Sequence, residues 1–100
     1  MNTRILTMDE IKSVVKPLAK KYNVEAIYLF GSYARGEAEE DSDLDFLILC
    51  GRHCEPRMVF ALQEELYQSL GKPIDAFEIC EIDQDSEFYK TIQKERVLVA

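Results

Sequence analysis

Hydrophobic positions near the start of the chain recur at the three- and four-residue spacing of an amphipathic helix. They are Ile11, Val14, Val15, Leu18, Ala19 and Tyr22. The segment TMDE, from Thr7 to Glu10, precedes them as a capping box and predicts where the helix begins. Pro17 removes one backbone hydrogen bond, so we expect it to kink this helix or to divide it in two.

Shorter apolar segments follow, and their branched and aromatic residues are typical of strands. We predict strands at residues 24–30, 44–49 and 74–82, and a short final strand at 97–99. The polar segment 32–42 separates the first two strands and predicts a turn and a loop.

Helical spacing returns in the second half of the chain. Pro56 suits the first position of a helix that Gly71 ends. The apolar face of that helix is formed by Met58, Leu62, Leu66 and Leu70. A last helix is expected through about Glu95, with Asp85 or Ser86 as its cap and with Phe88 and Ile92 facing inward.

The order of these elements is helix, strand, strand, helix, strand, helix. It predicts an α/β (α+β) domain with a small mixed β-sheet and helices packed on it. A chain of 100 residues suits a single domain over 1–100, and its 47% hydrophobic content allows a real core.

Composition narrows the function classes. A formal net charge of −7 argues against strong nucleic-acid binding across the whole surface, although a local phosphate site remains possible. No apolar run approaches the ~20 residues of a membrane span. The start of the chain lacks a secretion-signal pattern, and the three cysteines suggest reduced thiols, so we expect a cytoplasmic protein. His53, between Cys50 and Cys54, is an alternative metal ligand, but the spacing fits no common zinc pattern.

Carboxylates inside apolar strands are the main chemical signal. Asp43 and Asp45 are two residues apart, so they point to the same side of a strand. Asp75 lies in the next predicted strand, and if the two strands pair it joins the other two acids. Close like charges are unfavourable unless a cation lies between them. Three acids can hold two metal ions for an in-line displacement at phosphorus, and Asp75 is then the best-placed base.

A second signal precedes the acids. Gly31 allows a phosphate to approach the backbone closely, and the Ser32 hydroxyl can donate to it. A short helix starting here would add free N–H groups. Arg35 is a further candidate for phosphate or for a partner, although such residues are usually simply exposed.

The stretch GSYARGEAEEDSDLDFLIL, residues 31–49, resembles the polymerase-β-like nucleotidyltransferase superfamily. Its signature is Gly-Ser, about ten residues, Asp-x-Asp, and a third acid on a separate strand. The G-S-x-A-R-G and S-D-x-D patterns are similar to those of the minimal nucleotidyltransferase branch. Lys72 and Pro73 before Asp75 depart from the pattern and could shift the register of the third acid.

The resemblance implies a polymerase-β-like fold, ATP as substrate and Mg²⁺ as cofactor in a two-metal site. It implies that Asp43 and Asp45 bind metal, that Asp75 completes the catalytic triad, and that Gly31 and Ser32 hold the triphosphate. It also implies a HEPN-domain partner, to which the minimal protein is the antitoxin and onto which it transfers AMP.

Two alternatives stay open. The chain could be a non-catalytic binding module that neutralises or scaffolds a basic partner. It could also be a small-molecule nucleotidyltransferase whose acceptor pocket is completed by a second chain, in a homo- or hetero-oligomer.

Overall fold

The computed structural model describes residues 4–51 and 55–100. Helix α1 spans Met8–Lys21, and the Thr7 side chain caps it by accepting a hydrogen bond from the Glu10 N–H. The predicted division at Pro17 is wrong, because α1 runs through it as one helix. Pro17 lies on the exposed side of α1, whereas the opposite side is buried, so the buried side holds the helix together despite one missing hydrogen bond.

A four-stranded mixed sheet forms the centre of the fold. Its strands are β1 (Ala26–Phe30), β2 (Leu44–Leu49), β3 (Ile74–Glu78) and β4 (Val97–Leu98), in the order β3-β2-β1-β4. Strand β1 is antiparallel to β2 and β4, whereas β2 is parallel to β3. A parallel pair needs a crossover connection, and helix α3 (Pro56–Leu70) lies between β2 and β3 in the chain.

Strand β3 is shorter than predicted. It ends at Glu78, and a 3-10 helix over Ile79–Glu81 follows where a strand to residue 82 was expected. The Glu78 carboxylate accepts a hydrogen bond from the Cys80 N–H at 2.7 Å. This side chain therefore caps the 3-10 turn and ends the strand.

One face of the sheet is closed by α1 and by α3, which spans Pro56–Leu70 and ends at the left-handed Gly71. The α3 side chains buried there are Val59, Leu62, Leu66 and Leu70. Tyr33 is also buried in this core, whereas Phe60 and Tyr67 on α3 are exposed. This face is the main hydrophobic core.

The other face carries a smaller cluster of Phe30, Leu47 and Ile92. Ile92 belongs to helix α4 (Glu87–Glu95), which Ser86 caps as predicted. Phe88 faces the sheet as expected, but it is only partly covered, with 46% of its surface exposed. It packs by its edge on Phe30 and Phe77, and the rest of its ring borders an open cavity.

The cysteines differ from expectation. Cys50 is disulfide-bonded, so the prediction of reduced thiols is wrong for this residue, because an odd cysteine count does not exclude a bonded pair. Cys80 is free and exposed. The alternative metal ligands His53 and Cys54 lie outside the described residues. Across residues 4–51 and 55–100, no helix has both the length and the apolar character to cross a membrane.

Candidate active site

Strand β2 separates apolar from acidic side chains by its alternation. Leu44, Phe46 and Ile48 are fully buried in the main core. Asp45 lies between them in sequence and points to the opposite face of the sheet. Asp43, directly before β2, lines the same cavity as Asp45, as the two-residue spacing predicts.

The register between β2 and β3 brings the third acid to this place. Asp45 is paired directly with Asp75 in the parallel ladder. The Leu44 N–H donates to the Pro73 carbonyl at 3.0 Å, so Pro73 continues the ladder by its carbonyl and does not shift the register. Asp75 therefore lies beside Asp45, as the sequence predicts if the two strands pair.

Lys72 has a different role from the one considered for it. It is buried, and its Nζ donates to the Glu40 carbonyl oxygen at 2.5 Å. The lysine thus fastens the acidic loop before Asp43 to the start of β3. Sequence reasoning missed this contact, although a lysine three residues before the third acid was a visible signal.

A cavity of about 630 Å³ opens on this face of the sheet. All six candidate residues line it: Gly31, Ser32, Arg35, Asp43, Asp45 and Asp75. Phe30, Phe77 and Phe88 form an aromatic wall, with ring centroids 5.5 to 6.0 Å apart. The cavity therefore combines acids, a cation and an apolar wall in a space that suits a small ligand.

Gly31 fits against Asp45 more closely than any other residue type could. Its φ is 79°, a conformation that strains residues with a side chain. A Cβ atom placed on Gly31 would lie only 2.2 Å from Asp45 Oδ2. The glycine therefore suits the backbone angle, and it leaves the space that the Asp45 carboxylate occupies and from which a side chain at this position would displace it. Ser32 follows as the first residue of the short helix α2 (Ser32–Arg35).

The three acids affect one another electrostatically. The pKa of Asp45 is raised to about 6, first by burial and then by the charges of Asp75 and Asp43, while Arg35 opposes the shift. Asp43 and Asp75 are exposed and Asp45 is half-buried. Repulsion of this kind is relieved when a cation binds among the carboxylates.

A divalent metal suits these groups chemically, since carboxylate oxygens are the donors that Mg²⁺ prefers. Within the part of the chain that the structure describes, no three His, Cys, Asp or Glu side chains already stand in an arrangement that would hold a metal ion. The mutual repulsion at Asp45 and the supply of oxygen donors from Asp43 and Asp75 nevertheless fit a hard cation. These three residues are the ones that would hold it.

Arg35 and Gly31 share a partner that the sequence did not indicate. Arg35 Nη1 donates to Glu95 Oε1 at 3.0 Å, and the Gly31 N–H donates to Glu95 Oε2 at 3.2 Å. The hydrogen bond to Glu95 is also the main reason that the pKa of Arg35 is raised. Glu95 belongs to α4 and follows Gly31 by 64 residues in the sequence, so no local pattern indicates the contact.

Acids on paired strands lie beside a glycine and a serine in one cavity, and comparison with known proteins gives the class of the protein. Residues 12–100 match the family model "Polymerase beta, Nucleotidyltransferase". Protein adenylyltransferase MntA of Thermococcus cleftensis is 35% identical over 99 residues, which cover 95% of this chain and 98% of the relative. The chain belongs to the polymerase-β-like nucleotidyltransferase family and is a nucleotidyltransferase, which confirms the expected family.

Solved structures agree with this fold. A chain of a toxin–antitoxin structure with AMP-PNP superposes with a TM-score of 0.76 at 18% identity, covering 95% of this chain and 73% of that chain. Another similar structure is that of a tri-AMPylated Shewanella oneidensis HEPN toxin in complex with MNT antitoxin. It gives a TM-score of 0.72 at 16% identity, with coverage of 94% and 72%. The predicted polymerase-β-like fold is therefore confirmed.

Proposed function

We propose that this chain is a Mg²⁺-dependent enzyme that transfers AMP from ATP to a protein. A HEPN-domain toxin is the proposed acceptor and partner, in a cytoplasmic toxin–antitoxin pair, with residues 1–100 acting as a single domain. The observation that carries the proposal is the register of Asp45 beside Asp75, because it gathers the acids in the cavity that Gly31 and Ser32 also line.

Each candidate residue has a role in this proposal. Asp43 and Asp45 hold the metal, and Asp75 is both a ligand and the base. Gly31 donates its N–H and Ser32 its hydroxyl to phosphate oxygens, and Arg35 adds a guanidinium. When bound, Mg²⁺ in a two-metal site would neutralise phosphate charge and make the attacking hydroxyl more acidic.

The transfer forms one bond and breaks one bond. The acceptor hydroxyl oxygen attacks the α-phosphorus of ATP, and the bond from that phosphorus to the bridging oxygen of the β-phosphate breaks. AMP remains on the acceptor as a phosphodiester, pyrophosphate leaves with the electron pair, and Asp75 takes the hydroxyl proton. The half-buried position of Asp45 keeps its carboxylate in a fixed place beside Asp75 during this step.

The relatives support this reaction and this partner. The curated relative is named a protein adenylyltransferase, and a structural neighbour contains an AMPylated HEPN toxin. We therefore favour a protein acceptor over a small molecule.

Labelled ATP tests the proposal. The chain is incubated with Mg²⁺, a HEPN-domain protein from the same source, and ATP labelled at either the α- or the γ-phosphate. We expect label on the partner from the α-position alone, because γ-label would leave with pyrophosphate. The Asp43→Asn and Asp45→Asn double variant should lose the label, whereas Asp41→Asn, which changes another acid of the same cavity, should keep it.

A second candidate function is neutralisation of a partner by binding alone, and the formal net charge of −7 favours pairing with a basic protein. A pull-down of the partner with the double variant separates the two functions. A tight complex with no transfer by the wild-type chain would replace the enzymatic proposal with this one.

A further inference from the structure

The Glu95 carboxylate lies on the groups that the proposed function assigns to phosphate. One of its oxygens accepts the Gly31 N–H at 3.2 Å and the other accepts Arg35 Nη1 at 3.0 Å. The Glu95 side chain is only 18% exposed, and it lines the same cavity as the three acids. Glu95 is therefore held at the candidate site by two different donors.

Carboxylate and phosphate oxygens accept hydrogen bonds from the same donors, namely guanidinium groups and backbone N–H groups. The single hydrogen on the Gly31 nitrogen can make one strong bond at a time. A phosphate oxygen that uses this N–H must therefore displace Glu95. The negative charge of Glu95 also opposes the approach of a triphosphate until the side chain has moved.

We propose that Glu95 is an internal competitor for the phosphate groups of ATP and that it thereby sets the affinity of the site for nucleotide. The inference rests on the proposed function, which assigns Gly31 and Arg35 to phosphate. It goes further by naming a residue of α4 that no motif includes. In the absence of nucleotide, Glu95 satisfies the Gly31 N–H and partly neutralises Arg35.

A purely structural role for Glu95 makes the opposite prediction. If the contacts only fastened α4 to the end of β1, removing the charge would loosen the cavity and weaken ATP binding. If Glu95 competes with phosphate, removing the charge strengthens ATP binding. The two roles therefore differ in the sign of the change in Kd.

The chain offers a matched control for this test. Glu37 also contacts Arg35, from its Oε2 to Arg35 Nε at 3.4 Å, but it is exposed and makes no contact with Gly31. Glu37→Gln and Glu95→Gln change the net charge of the chain by the same amount. A difference between the two variants therefore separates the effect of the Glu95 position in the cavity from a general electrostatic effect.

The experiment measures the Kd of ATP with Mg²⁺ by calorimetric titration, without any acceptor. We expect Glu95→Gln and Glu95→Ala to bind ATP about three- to tenfold more tightly than the wild-type chain. Glu37→Gln should remain within about twofold of wild type. Thermal unfolding of each variant confirms that the comparison is made on folded protein.

Unchanged or weaker ATP binding by both Glu95 variants would overturn the inference, and so would equal tightening by Glu37→Gln. The transfer assay with labelled ATP is scored separately. Tighter ATP binding after Glu95→Gln without any transfer of label would support the competition by Glu95 and contradict the proposed transfer reaction. Absence of ATP binding in every variant would overturn both.

Discussion

The two faces of the sheet are built from alternate residues of the same strands, yet they serve different ends. Below β2, Phe46 and Ile48 are buried under α1 and α3 in the main core. Above it, Asp45 and Leu47 face α4, where three buried residues of the described part of the chain form a small cluster and a cavity remains open. One face therefore supplies most of the hydrophobic stabilisation, and the other keeps carboxylates accessible at the cost of a smaller core.

This comparison shows how a small domain can keep a cluster of mutually repelling carboxylates and still remain folded. Like charges on Asp43, Asp45 and Asp75 oppose folding, and their strands are held in place by apolar residues of the opposite face. We therefore expect substitution of the acids to leave the fold intact and substitution of the core residues to destabilise it. The predictions below separate the two faces on that basis, beginning with the largest effect.

Asp75→Asn should have the largest effect on activity and a small one on stability. Asp75 is exposed on β3, so its substitution should change the free energy of unfolding by no more than about 0.5 kcal/mol. Loss of the proposed base should lower kcat on the order of a thousandfold. The transfer assay and urea denaturation measure the two quantities on the same preparation.

The matched control for this prediction is Asp41→Asn, which changes an exposed acid of the same cavity outside the strands. It should keep near wild-type kcat. A variant Asp75→Asn that keeps its rate, or that loses its rate only because it unfolds, would contradict the separation of the two faces.

Neighbouring residues of β2 test the unequal contribution of the faces to stability. Leu47 and Ile48 are both fully buried, but Ile48 lies in the main core and Leu47 in the small cluster. Ile48→Ala should cost about 3–4 kcal/mol and Leu47→Ala about 2–3 kcal/mol, because the thinner layer beside the cavity can adjust more readily. Urea denaturation midpoints and slopes give both values.

Each of these substitutions removes a buried aliphatic side chain of the same size and leaves an alanine on the same strand. Equal costs, or a larger cost at Leu47, would mean that the α4 face is packed as firmly as the other. The proposed difference between the closed face of the sheet, which α1 and α3 cover, and the open face, which borders the cavity, would then be wrong.

The acidic face should respond to pH in the metal-free protein. Folding raises the pKa of Asp45 from its ordinary 3.8 to about 6, so between these values the folded state binds more protons than the unfolded state. The stability that protonated Asp45 contributes is complete below about pH 4 and is lost as the pH rises through 6. Asp45→Asn cannot ionise and should escape this loss.

We therefore expect Asp45→Asn to be more stable than the wild-type chain at pH 7.5 by about 1–2 kcal/mol, after allowing for screening of a half-buried group. At pH 4 the two should be nearly equal. Urea denaturation in a chelator at the two pH values measures the difference. A gain of the same size at both pH values, or a loss at pH 7.5, would show that Asp45 is not held against repulsion.

The sequence predicts the closed face better than the open one. Periodicity identifies α1 and α3 because their apolar faces repeat, and alternation in β2 identifies which side Asp45 takes. The end of β3 is not predicted because the Glu78 side chain caps the next turn, and the partial exposure of Phe88 is not predicted because its contacts come from other elements. Phe88 rests on Phe30 and Phe77, and such contacts leave no local period.

The candidate site divides in the same way. Its motif residues were found because they are close in sequence, and Asp75 was found because it lies in an apolar strand. Lys72 and Glu95 were missed because their partners, Glu40 and Gly31, are 32 and 64 residues away. Spacing predicts which groups carry the chemistry, whereas the groups that hold or compete with them depend on the fold.

The smallest expected effect compares the caps of a helix on each face. Thr7 caps α1 and Ser86 caps α4, each by accepting a backbone N–H from the residue three positions on, at 3.1 Å. Thr7→Ala and Ser86→Ala should each cost about 1 kcal/mol of stability.

Only Ser86→Ala should alter catalysis, because α4 carries Phe88 and Glu95 to the cavity, whereas α1 lies on the opposite face of the sheet. We expect Ser86→Ala to change the KM for ATP by about two- to threefold, in steady-state transfer assays, and Thr7→Ala to leave it unchanged. A change of KM in Thr7→Ala as large as that in Ser86→Ala would show that the two faces are coupled through the sheet rather than divided by it.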